Sequence, residues 1–309
     1  MENKYKLTEE SISYYGRILY RIEALNDFDN VKKGDKGGYV EKEDNLSQEG
    51  DCWVYGNTKV FDSAVVYGNA VVDGNAEVYG NAQVYDNAKV YDNAQVFDNS
   101  KVYSNAMVFG NAKVYNNAEV YGNALVFCNA MVFGDAQVSD EAKVYVNAQV
   151  FGNSKIFNNA RVFDKAVVCD NAKVYDGAAV YGDAIVVNNA RVFDKAKIFN
   201  NAVVCDRALV YGDTQVYGNA KISGSAEIKD NSDYIVFKNW WSSGRYFTWT
   251  RSNNMWKVGC FYGTGEELIA KAYEDSELSG REYKIVVDYV EAMLQNTKNR
   301  ELLWKRNIS

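Results

Sequence analysis

"AKVYNNAEVYGNA" at residues 112–124 repeats one hexad almost letter for letter, and its extension in both directions decides the fold. Stepping by six from Val54, every stop as far as Ile228 is Val or Ile, which makes 30 hexads without an insertion. Four residues after each anchor stands Ala, Ser or Thr, and three after it Asn dominates, as at Asn81, Asn111 and Asn123. A repeat this regular is read before any local propensity. The small residue and the next anchor lie two apart, so in extended chain both point to one side. Asn tolerates left-handed backbone, so we expect the Asn three after the anchor to mark a corner. Strand and corner in alternation give a coil that closes after three hexads, with Val/Ile and Ala sealed inside. Ten such coils stacked at ~4.8 Å would form a prism on the order of 48 Å long.

Residues 54–231 resemble the hexapeptide-repeat left-handed parallel β-helix, whose aliphatic anchor also has a small residue two before it. The left hand is implied by this resemblance alone, since ordinary crossovers are right-handed. The entry segments "NDFDNV" at 26–31 and "GGYVEKEDNLSQEGDCWV" at 37–54 resemble those of the YdcK-type family, labelled as acyltransferases. Similar arrangements occur in phages and prophages, so the resemblance implies a phage origin with a phage-type C-terminal domain. The expected fold is mainly β: an N-terminal β cap at 1–50, a β-helix of about ten triangular coils at 51–231, and a C-terminal α+β domain at 232–309. In the cap, "ISYYGRILYRIEAL" reads as strands followed by the turn "KKGDKGG". In the last segment, "DYIVFKN", "RYFTWTRS" and "MWKVGCFYG" read as three strands, with Asn253-Asn254 as a hairpin turn. Thr264 with Glu267 forms a capping-box pattern for a helix to about Ser276. A second helix from about Gly280 to Gln295 carries Tyr283, Val286, Val287, Val290 and Leu294 on one stripe.

The composition argues against several functions. The chain has 34 Lys+Arg against 41 Asp+Glu, a net −7 that does not suit a nucleic-acid surface. Within 54–231 the signs are interspersed, which also argues against mimicry of a DNA duplex. No apolar run could span a bilayer and no leader pattern opens the chain, so a cytoplasmic protein is expected, in the host cytoplasm if phage-encoded. Cys52, Cys128, Cys169, Cys205 and Cys260 are odd in number and include no CxxC, which suits free thiols rather than a disulfide framework or zinc site.

No histidine occurs anywhere. The acyltransferases that share this repeat resemble one another in using a histidine base, and the related carbonic anhydrases in using three on zinc. The uninterrupted hexads also leave no loop to wall an active site. We therefore expect no catalytic residue, no metal and no cofactor, with an acyltransferase relative as the alternative.

Binding surfaces are the better candidates. The residue after each anchor points outward and is aromatic in 23 of the 30 hexads, which should give stabilising ladders on all three faces rather than one dedicated pocket. The residue before each anchor should be polar. It is mostly so on the face of Val66, Val84 and Val102, but Val167/Cys169, Ile185/Val187 and Val203/Cys205 form an apolar block on a second face. Met107/Phe109 and Leu125/Phe127 form another on the remaining face, with Met131/Phe133 around the corner. Exposed apolar blocks mark contacts. The earlier block points to self-association; the later one points to a subunit interface or to a C-terminal domain folded back with its striped helix. Trp240 and Trp241 with Arg245 and Arg251 could hold a ligand, although Trp in so small a domain is more often core. The expected function is a non-enzymatic scaffold that assembles into homo-oligomers, trimers in the resembled group. It would bind a host component, such as a defence protein or its small signalling ligand.

Overall fold

The computed structural model describes residues 3–241 and 243–306, without the side chains of 298–306; residues 307–309 of the last expected segment lie outside it. Strands Tyr5–Tyr14 and Arg17–Ala24 form a hairpin whose two turn residues, Tyr15 and Gly16, have φ of 46° and 76°. Positive φ at both positions matches the twist that two-residue hairpins require. Strand Lys36–Val40 pairs antiparallel with the second hairpin strand and parallel with Lys59–Val60, so the cap continues one face of the repeat. Glycine is needed there: a Cβ on Gly37 would stand 2.5 Å from the Val54 carbonyl oxygen.

The repeat is a parallel β-solenoid of about 11 turns, counting the first turn through Val40 and Leu46. Its two-residue strands, from Trp53–Val54 to Glu227–Ile228, stack in three parallel sheets with each residue paired to the one 18 later. We call the faces first, second and third after the anchors Val54, Val60 and Val66. Every anchor, and every Ala four after an anchor, is fully buried. That is the sealed interior the hexad implies.

The corner differs from the expectation. In all 29 hexads from Val54 to Ile222 the left-handed residue is the one two after the anchor, with φ between 56° and 74°. Gly, Asp and Asn dominate that position. The following Asn instead builds a ladder outside the coil: Asn69 Nδ2 donates to Asn87 Oδ1 at 3.1 Å, Asn87 to Asn105 at 3.2 Å and Asn105 to Asn123 at 3.1 Å. An Asp at the corner accepts from the next coil's corner N–H, as Asp92 does from Gly110 at 3.1 Å and Asp194 from Gly212 at 3.0 Å. Both side chains join coil to coil along the axis.

The C-terminal sheet is an antiparallel meander of four strands rather than three: Tyr234–Lys238, Tyr246–Thr250, Met255–Val258 and Phe261–Gly263. Left-handed Gly259 (φ 56°) reverses the chain inside the stretch expected to be one strand. Helix α1, Gly265–Asp275, starts on the Thr264–Glu267 capping box, and α2, Glu277–Arg306, runs well past the expected Gln295. The α2 stripe does not reach the solenoid. Tyr283, Val287 and Val290 are buried with Phe247, Trp249 and Trp256 of their own sheet, and Val286 and Leu294 pack against them. The sheet rather than the helix faces the last coil.

Candidate interaction surface

A parallel solenoid is polar along its axis: interior strands send N–H groups toward the C-terminal end and carbonyls toward the N-terminal end, as Val203 N–H does to the Ala220 carbonyl. The last coil therefore presents donors, and residues C-terminal to it supply acceptors on all three faces. Gln215 N–H donates to Asn231 Oδ1 at 2.7 Å, Lys221 N–H to Thr248 Oγ1 at 2.9 Å, and Glu227 N–H to Ser252 Oγ at 2.7 Å. At the other end the caps are donors. Lys4 Nζ bonds the Gly50 and Cys52 carbonyls at 3.1 and 2.9 Å, and Asn45 Nδ2 bonds the Asp62 and Ala64 carbonyls at 3.2 and 2.8 Å. With its ends paired, the solenoid leaves its three faces as its open surface.

On the first face, Met107, Phe109, Leu125 and Phe127 form one half-buried apolar block. The Phe109 and Phe127 rings stack at 4.9 Å, and Lys89 and Lys143 flank Met107 and Leu125 along the column. Met131 and Phe133 lie on the second face, with Phe133 stacked between Tyr115 and Phe151. Further along that face Val167, Ile185 and Val203 stand in register, beside Cys169, Val187 and Cys205. Only Ile185 of these six is exposed, at 37%, and Cys169 is buried. The α2 stripe expected to fold back on this face packs instead on the domain's own sheet.

Chemistry at the Cys169 and Cys205 thiols is disfavoured. Burial, then the nearby Asp170, pushes the Cys169 thiol up to about 11, and burial also raises Cys205. Both are held as weakly nucleophilic thiols near neutrality. Among the described residues no group of three or more Cys, Asp or Glu could hold a metal ion.

The four residues expected to hold a ligand do not form one site. Trp240 is 83% exposed, and half-buried Trp241 packs on Phe247 and Tyr283. Arg245 borders a crevice of about 510 Å³ with Tyr283, Lys271 and Asp275, whereas Arg251 sits at the far end of strand Tyr246–Thr250. Sequence reasoning missed a larger cleft of about 800 Å³ where the sheet meets the last coil, lined by Phe199, Tyr217, Tyr234, Ile235 and Tyr246. Its one signal was the end of the first-face aromatic ladder at Tyr217, whose ring stacks on Phe199 at 5.3 Å.

Residues 82–98 match the family model of the YdcK β-solenoid repeat. Over these residues the repeat is similar to the YdcK type. A 65-residue stretch is 34% identical to a protein of Escherichia coli (strain K12) named "Uncharacterized acetyltransferase YdcK". The alignment covers 18% of this chain and 20% of that relative, so the chain spans about a fifth of its length. No helix among the described residues is long and apolar enough to cross a membrane.

Proposed function

We propose that this protein is a non-enzymatic scaffold whose solenoid self-associates through the first-face block of Met107, Phe109, Leu125 and Phe127, and whose C-terminal domain binds a partner. The observation that carries this reading is the uninterrupted run of hexads in a chain without histidine: each coil sends Val or Ile and a small residue inward and sends out no loop. The apolar block supports assembly because it lies mid-solenoid, away from both caps. The aromatic-lined junction cleft supports binding of a ligand or a partner's side chains. The phage-type resemblance of the chain motivates a bacterial host component as that partner, a defence protein or its signalling ligand.

The test is light scattering on the purified protein and on Met107→Asp with Leu125→Asp. Assembly by the wild type and monomers from the double variant are expected; a monomeric wild type would contradict the assembly claim. The name of the E. coli relative favours a second reading, acyl transfer. Turnover with an acyl-CoA donor, abolished by one substitution on the solenoid, would replace the scaffold reading with that one.

A further inference from the structure

The aromatic ladder of the third face has one missing rung. Tyr67, Tyr85, Tyr103 and Tyr121 stack at 4.7 to 5.0 Å, and Phe157, Tyr175, Phe193 and Tyr211 resume the ladder at 4.8 to 5.0 Å. Between them the residue is Ser139, which is buried. Tyr121 and Phe157 are therefore two coil steps apart, ~9.6 Å at the spacing of strands, with a serine where a ring belongs. The space is a real cleft of about 290 Å³, lined by Tyr121, Phe157, Gln137, Ser139, Asp140 and Lys155. One aromatic ring inserted there would stack on both neighbours at the ladder's own spacing, with no movement of the backbone.

The surroundings select what the ring carries. Ser139 Oγ donates to Asp140 Oδ2 at 3.3 Å, so the polar floor of the slot leads to that carboxylate. Asp140 also borders an open groove of about 540 Å³ on the adjoining corner, with Glu141, Asp176, Asp194 and Lys195. The groove exists because the Asn ladder lapses there: Gly177 offers no side chain between Asn159 and Lys195. Four carboxylates face two lysines around slot and groove, which favours a positive substituent and disfavours a phosphate or carboxylate. The other interior gap, at Asp73 on the first face, is different. Its own carboxylate sits there, accepting from the Gly74 N–H at 2.6 Å.

We propose that the gap at Ser139 is a binding slot for a small molecule with one planar aromatic ring and a cationic substituent, the ring lying between Tyr121 and Phe157 and the charge toward Asp140 and Glu141. This site is independent of the self-association reading.

The test is calorimetric titration of the full chain with tryptamine, indole-3-acetate and cyclohexylethylamine as probes. Saturable one-to-one binding of tryptamine is expected, with indole-3-acetate and the saturated amine each weaker by on the order of tenfold or more. Ser139→Tyr should fill the rung, raise the melting temperature and abolish tryptamine binding. Asp140→Asn keeps a residue type found at other corners; it should weaken tryptamine and narrow its advantage over indole-3-acetate. Three results would each overturn the proposal: no tryptamine binding, equal binding of the saturated amine or of indole-3-acetate, or binding that survives in folded Ser139→Tyr. If Ser139→Tyr does not fold, unchanged probe affinities in Asp140→Asn overturn it instead.

Discussion

The two ends of the solenoid face opposite problems and solve them with opposite chemistry. The N-terminal end exposes carbonyls, and the chain meets them with the Lys4 ammonium, the Asn45 amide and the Tyr5 hydroxyl, which donates to Glu43 and Leu46 oxygens at 2.8 and 2.7 Å. The C-terminal end exposes N–H groups, and Asn231, Thr248 and Ser252 meet them with oxygens. The donors at the first end are deeply buried, with Asn45 fully so and Lys4 at 7% exposure, whereas at the other end Asn231 and Ser252 are exposed and Thr248 alone is buried. The lesson is that an end cap here is specified by strand polarity first and by shape second. The N-terminal caps should be the less replaceable set, because their donors Lys4, Tyr5 and Asn45 are all buried, whereas two of the three C-terminal acceptors are exposed.

Substitutions can break that asymmetry in graded steps. Asn45→Asp should have the largest effect: it sets a buried carboxylate against the Asp62 and Ala64 carbonyls, and a loss of about 3–5 kcal/mol is expected in chemical denaturation. Lys4→Met removes the donor from two carbonyls while keeping the stem, for about 2–3 kcal/mol by the same measurement. At the other end, Thr248→Val strips the Lys221 N–H of its acceptor and should lose about 1–2 kcal/mol. If Ser252→Ala, which removes an exposed acceptor from the Glu227 N–H, outweighed the N-terminal pair, the burial argument would be wrong. The smallest effect lies between the ends. Ser154 Oγ is buried in the core without a partner, while Ser100 Oγ donates to the Phe97 and Val114 carbonyls at 2.8 and 3.1 Å. Ser154→Ala should therefore stabilise by about 1 kcal/mol and Ser100→Ala should not, as compared by their denaturation midpoints.

The Cys169 thiol adds a pH dependence. Its acidity is lower in the folded chain than in the unfolded one, so its contribution to stability is complete below the unfolded thiol range and falls away as pH rises toward about 11. Iodoacetamide at about pH 8 should accordingly modify the exposed Cys128 and Cys260 well before Cys169, as peptide mass mapping would show.

Much of this architecture was legible in the sequence because period six leaves so little freedom. Val every sixth residue with Ala two before it permits one inward face, and the anchors from Val54 to Ile228 all take it. The corner was misplaced by one residue because Asn favours both left-handed backbone and side-chain ladders, and propensity alone does not say which role it plays. Glycine carried the better signal: it recurs two after the anchor, at Gly56, Gly68 and Gly80, and three after it only at Gly177. The slot at Ser139 was readable as the one interior break in the third-face ladder, but only once the rings are seen to stack face to face. The junction cleft was not readable, since it depends on how the C-terminal sheet sits against the last coil. Similarly, the spread of Arg251 away from Trp240 follows from strand length and direction, which composition does not carry.

The most direct test of the capped solenoid is native-state hydrogen exchange read at single amides. The account predicts that Gln215, Lys221 and Glu227 N–H groups are protected like that of Val203 in the interior, and that Thr248→Val releases Lys221 while leaving Gln215 and Glu227 slow. Free exchange of all three amides in the unmodified protein would contradict it.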